Sequence, residues 1–193
     1  MADIVRLALF LALIAGISGV GLSYVNGLTN PLIEKQMLKE KNESMREVYP
    51  DGDKVIDESA TYLAANTDQA LKELSVAYKA DKPAGVLYLV QTKGYSGPIS
   101  LLVGFDIATQ KITAIKVLSQ TETPGLGAKA KDAAFQNRYK NKMAAIALEV
   151  TKTPPVKENQ IQAITASTIT SRAVTVGVNR AREHYLATFG TKK

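Results

Sequence analysis

Residues 7–25 read LALFLALIAGISGVGLSYV, 19 positions without a charge. As a helix rising about 1.5 Å per residue the stretch reaches roughly 28 Å, close to the hydrocarbon thickness of a bilayer. It is apolar on every face, and it is too much helix for the core of so small a domain. The sequence therefore predicts a retained transmembrane helix. A cleaved signal peptide fits less well. The basic start is only Arg6 and the amino terminus, opposed by Asp3, and no small-x-small cleavage site follows the run. Lipid attachment to cysteine is excluded, because the chain has no cysteine. Ala8, Ala12 and Gly16 recur at four-residue spacing, as do Ala15 and Gly19. Such spacing lets another membrane helix approach closely and favours a member of a membrane complex over a free tether. Charge does not settle the orientation. Arg6 flanks one end and Lys35, Lys39 and Lys41 the other, a slight lean toward a cytoplasmic domain.

Beyond the span, a 193-residue chain with 46% apolar and 22% charged residues affords one ordinary packed domain. The missing cysteines exclude disulfides, thiolate nucleophiles and iron–sulfur ligation. One histidine, His184, argues against a His-rich zinc or haem site, and no metal site is expected. The net charge of +6 is spread along the chain without interleaved aromatic residues. That pattern suits solubility or anionic lipid heads and not nucleic acid.

Asn30-Pro31 reads as a helix start, and Leu32, Ile33, Met37, Leu38 and Met45 form a rough stripe to about Val48. Pro50-Asp51-Gly52 ends it as a turn. From Leu74 the period changes to two, and residues 74–79, 85–91, 99–106 and 111–118 read as strands with short connections. Residues 128–139 and 169–189 read as helices, with a further strand within 145–151 before Pro154-Pro155. The expected class is α+β: an N-terminal transmembrane helix, then an antiparallel sheet with packed helices. The expected division is an anchor at 1–28, a connecting helix at 29–50 and a domain at 51–193.

Three loops hold candidate chemistry. KGYSGPIS and QTETPGLGAKA place Gly94, Gly97, Gly125 and Gly127 next to predicted strands. Both read as turns, and both also let backbone approach a flat ligand, with Leu126 against a ring. Neither has the spacing of a phosphate-binding P-loop. The third loop, AITASTITSRAV, holds five hydroxyls at the mouth of the last helix. One Ser or Thr suffices as a cap. A helix N-terminus also suits a phosphate, by hydrogen bonding or by an ester to one of the hydroxyls. In the predicted helix Ile169, Ala173, Val176 or Gly177, and Ala181 share a face, flanked by Val174, Val178 and Tyr185.

GYSGPI, ETPGLG and TASTITS, in this order behind one membrane helix, resemble the FMN-binding domain found in two redox complexes. One is carried by the G subunit of the Rnf ion-translocating electron transport complex. The other is carried by the C subunit of the sodium-pumping NADH:quinone reductase. The length and the final TSRAVTVGVNRA helix resemble the Rnf protein more closely. In that family the signature is Asp-x-x-Ser/Thr-Gly-Ala-Thr-x-Thr/Ser, and its last-but-two Thr carries FMN through a phosphoester. Aligned here, Thr168 takes the acceptor place, Thr165 the Ser/Thr place and Thr170 the final hydroxyl place. Gln162, Ala166 and Ser167 stand where Asp, Gly and Ala are common, and Ser167 is a competing hydroxyl.

The resemblance implies an electron carrier with covalent FMN, not catalytic alone, in a complex passing electrons between ferredoxin and NAD. A separate flavin transferase would attach the FMN from FAD with a divalent metal, and other membrane subunits would be its partners. The domain would sit on the outer face of the cell membrane. Thr165, Ser167 and Thr170 would bond around the phosphate, and Glu122, Thr123, Gly125, Leu126 and Gly127 would border the flavin. Tyr95 and Ser96 would form the opposite wall. The alternatives are the corresponding quinone reductase protein and a membrane-tethered binding module without cofactor.

Overall fold

Apolar residues occupy both sides of the longest strands, and their alternation divides them between two faces of one sheet. The structure, a computed structural model, describes residues 1–190; residues 191–193, the end of the expected domain, lie outside them. Strands β1 (Lys54–Asp57), β2 (Leu71–Lys79), β3 (Lys82–Lys93), β4 (Pro98–Asp106) and β5 (Lys111–Ser119) form an antiparallel meander in that order. A one-turn helix, α2 (Ser59–Tyr62), lies between β1 and β2. In β3, Val86, Tyr88 and Val90 face one core while Leu87 faces a second. Their partners on β4 follow suit: Val86 pairs with Phe105, Tyr88 with Val103 and Val90 with Leu101. A one-residue slip would reverse every one of these assignments, so burial fixes the register.

Each face has its own cover. The last helix, α4 (Thr168–Phe189), packs on β3 and β4. Its buried stripe runs through Val174, Gly177, Val178, Ala181 and Tyr185, the 3.6 period of an amphipathic helix. The stripe is rotated from the predicted face: Ile169 and Val176 are exposed. Tyr185 stacks on Phe105 at 4.5 Å between centroids, and its hydroxyl donates to the Asp106 carbonyl. These aromatic contacts pull the helix round toward Tyr185.

The other face is covered by Met45, Val48 and Tyr49. Met45 and Val48 belong to the end of α1 (Ala2–Val48), and Tyr49 follows it directly. The Tyr49 hydroxyl donates to Asp106 Oδ2 at 3.1 Å. Burial, then this bond, pushes the Tyr49 phenol up to about 12. By contact the chain divides into two compact units, Met1–Lys41 and Asn42–Lys193.

Three expectations change. No helix starts at Asn30-Pro31, because α1 is continuous through Pro31. Proline costs only the one bond to the carbonyl four residues back, that of Gly27, and the helix runs on through it. Residues 128–139 are not one helix. A 3-10 turn (Gly127–Lys131), α3 (Ala133–Gln136) and a second 3-10 turn (Asn137–Tyr139) replace it. Asp132 is extended (φ −71°, ψ 136°), and the Gln136 amide oxygen accepts from Val117 N–H at 3.1 Å, tying the bend to β5. The strand expected within 145–151 is short: β6 (Glu149–Thr151) pairs in parallel with β7 (Gln160–Gln162).

Candidate functional site

The three motif loops meet at the N-terminus of α4. Glu122 joins them. It is 5% exposed, and its Oε1 accepts from Ser96 N–H at 2.9 Å. Its Oε2 accepts from the Thr170 hydroxyl. One carboxylate thus ties GYSGPI to ETPGLG and to TASTITS. Charge-assisted bonds of this kind are about twice as strong as neutral ones. Gly127 lets the segments close: a Cβ there would meet Thr170 Oγ1 at 2.6 Å and Glu122 Oε2 at 2.7 Å. Gly125, at φ +76°, forms the tip of the preceding turn.

Between these loops lies a cleft of about 430 Å³. Tyr95, Glu122, Thr123, Leu126, Gly127, Ser167, Thr168 and Thr170 all line it. Three other predicted site residues do not. Thr165 and Gly125 are exposed outside the lining, and Ser96 contributes its N–H to Glu122 alone. Two lining residues were not among the predicted site residues, Ala166 and Ile169. An apolar residue directly after the acceptor position was the available signal for Ile169. Arg138 was not among them either: its Nη1 donates to the carbonyls of Gln162 and Ala163 and so pins the approach to α4.

The hydroxyls of the cluster have separate fates. Ser171 Oγ accepts from Ile164 N–H and donates to the Ser167 carbonyl, each at 2.9 Å, so it closes the loop from inside the core. Thr170 is spent on Glu122. Ser167 is the N-cap, yet its side chain makes no capping bond, and the residue is 7% exposed. Thr168 is half-buried and lines the cleft. The first N–H groups of any α-helix lack partners within the helix. Here the Ser167 side chain caps none of them, and residues 167–170 line the cleft.

A phosphate-bearing flat ligand fits this geometry. The helix mouth supplies N–H donors and a partial positive charge to the phosphate. Leu126, Ile169 and Tyr95 are 41%, 55% and 68% exposed at the rim, an apolar wall for a ring. The volume lies in the ordinary range for small-molecule sites, about 300–1,000 Å³.

The FMN-binding domain family matches residues 94–183, which take in all three loops. The G subunit of the proton-translocating ferredoxin:NAD(+) oxidoreductase complex of Clostridium ljungdahlii is 35% identical, over 91% of this chain and 88% of that protein. The G subunit of the Na(+)-translocating complex of Acetobacterium woodii is 32% identical, over 93% and 90%. Among solved structures, the C subunit of the Na(+)-translocating NADH-quinone reductase from Parabacteroides distasonis has a TM-score of 0.55 at 23% identity, over 72% of this chain and 77% of that one. NqrC of Shewanella oneidensis has a TM-score of 0.52 at 20% identity, over 61% and 58%. Those two likenesses are of fold.

Proposed function

The chain belongs to the family of the Rnf complex G subunits, and from that membership we propose that it is an electron relay carrying FMN esterified to Thr168. It is an electron-transfer subunit of a membrane redox complex, with an FMN-binding domain and one N-terminal span. The finer reading concerns the acceptor, the orientation and the partners. In it residues 1–28 anchor, 29–50 connect and 51–193 bind the flavin on the extracytoplasmic side.

One observation carries the acceptor assignment. Of the hydroxyls gathered at the mouth of α4, Thr170 and Ser171 are buried and committed to internal bonds. Thr168 lines the cleft and is half-buried, open to an incoming phosphoryl group. A flavin transferase acting on FAD would form the bond from Thr168 Oγ to the FMN phosphorus. It would break the pyrophosphate bond, AMP leaving and the hydroxyl proton passing to solvent. Thr168 would then hold the phosphate covalently, with the first-turn N–H groups of α4 as its donors. Leu126, Ile169 and Tyr95 would flank the ring, and Thr123 would offer a hydroxyl at the rim. FMN, when bound, supplies the redox chemistry that no side chain here provides.

The partners in this reading are the other membrane subunits of a ferredoxin:NAD oxidoreductase. The ion path belongs to them, since residues 7–25 hold no Asp, Glu, Lys, Arg or His.

Intact mass tests the proposal. Protein co-expressed with a flavin transferase is expected to gain roughly 438 Da, and its flavin fluorescence to survive denaturing gel separation. Thr168→Val is expected to abolish the adduct completely while the protein stays folded. An adduct retained at full yield in that variant moves the acceptor to Ser167. Colourless wild-type protein from its native host refutes covalent flavin altogether.

A further inference from the structure

Glu122 is the one charged residue in the cleft lining, and it is nearly buried. Among the described residues no cation pairs with it; its partners are the Ser96 N–H and the Thr170 hydroxyl. A buried carboxylate without a counter-ion is costly to keep. An amide would make a similar set of bonds without the charge, so the hydrogen bonds alone do not account for an acid here. The charge itself has a use at a redox site.

Resting on the flavin reading above, we propose that Glu122 is a potential-setting residue: its fixed negative charge lowers the reduction potential of the flavin in this cleft. The couple is oxidised flavin plus two electrons and one proton, giving reduced flavin with one added negative charge. The electrons come from a reduced neighbour in the complex and the proton from solvent. Charge added to the ring is repelled by the carboxylate, and a partly desolvated cleft weakens that repulsion less than water would. The oxidised form gains no such penalty, so the equilibrium shifts toward it. The two donors to Glu122 moderate the effect by drawing charge toward themselves. The cleft is thereby set to give electrons up readily.

The experiment uses full-length flavinylated protein in detergent. Flavin content comes from peptide mass spectrometry and the midpoint from spectroelectrochemical titration at pH 7. Glu122→Gln keeps the shape and removes the charge. The amide oxygen accepts from Ser96 N–H, and the Thr170 hydroxyl turns to accept from the amide. Its midpoint is expected to rise by at least a tenfold change in the reduction equilibrium, about 30 mV for a two-electron couple. Thr170→Val keeps the charge and removes one donor, and its midpoint is expected to fall.

Mere loosening of the cleft would move both variants in one direction, so shifts of the same sign overturn the proposal. An unmoved midpoint in Glu122→Gln overturns it as well. Should Glu122→Gln fail to fold, Thr170→Val decides alone: a fall supports the proposal, and no change or a rise overturns it. Wild-type protein without flavin would sink the flavin reading and this one with it. Flavin present with unshifted midpoints would sink this one only.

Discussion

Ala166 sits at φ +59°, in the left-handed region, immediately before the N-cap of α4. That conformation costs a non-glycine residue about 1–2 kcal/mol. Glycine would avoid the strain and lose about 0.5–1 kcal/mol through the freedom it has when unfolded. Ala166→Gly is therefore expected to stabilise the protein by about 0.5–1 kcal/mol, read as a higher denaturant midpoint at unchanged slope. A lower midpoint would mean that the alanine methyl makes a contact worth more than the strain. The same residue shows how far the site was legible. The motif alignment marked position 166 as one where the family favours glycine, and the backbone supplies the reason. Thr168, Glu122, Leu126 and Gly127 were legible because hydroxyls at a helix start and glycines beside strands are local signals. Thr165 was not. Ile164 is drawn into the core, Ser171 Oγ holds its N–H, and the next residue is turned outward. That outcome depends on a bond seven residues away and on burial, neither of which a linear pattern contains. The tie from Glu122 to Ser96 and Thr170 spans still longer separations.

Strands β2 to β5 were legible because each is long enough to show a period and each buries apolar residues on at least one face. β1, with four residues, and β7, with three, are too short to carry one, and β6 is the short remainder of the strand expected within 145–151. β1 exists because the longer β2 offers it an edge, and β6 and β7 exist by pairing with each other. The seat of Tyr49 was equally hidden, since nothing local pairs it with Gly85. A Cβ on Gly85 would meet ring carbons of Tyr49 at 2.3, 2.6 and 2.6 Å. The ring is 5% exposed and has little room to retreat. Gly85→Ala is expected to destabilise by about 1–3 kcal/mol, the usual cost of overpacking. Tyr49→Ala should cost about 3 kcal/mol or more through the cavity it leaves. The double variant should cost clearly less than the sum, because the added methyl then has space. Chemical denaturation of the four proteins closes the cycle, and strict additivity would show that the two residues do not share one seat.

At the scale of the whole chain, the residues of the two hydrophobic clusters run from Met45 to Phe189, and none comes from Met1–Lys41. The apolar side chains before residue 42 are exposed throughout: Leu7 is 60% exposed, Leu11 58% and Leu22 72%. Such a surface belongs in lipid, and in water it is an aggregation hazard. A protein of residues 42–193 is thus expected to be soluble without detergent and to unfold in one cooperative transition. It should also accept flavin when co-expressed with a flavin transferase, since every cleft residue is retained. A start at residue 51 should behave differently. It removes Met45, Val48 and Tyr49, which cover the second face of the sheet. Each buried side chain of this size contributes about 1.5–3 kcal/mol. Their joint loss, about 5 kcal/mol or more, is comparable with the whole stability of an ordinary domain, about 5–15 kcal/mol. The 51–193 protein is expected to melt many degrees lower or to aggregate through the bared face around Leu87 and Leu102. Equal melting temperatures for the two proteins would show that the end of α1 contributes nothing to the fold it covers.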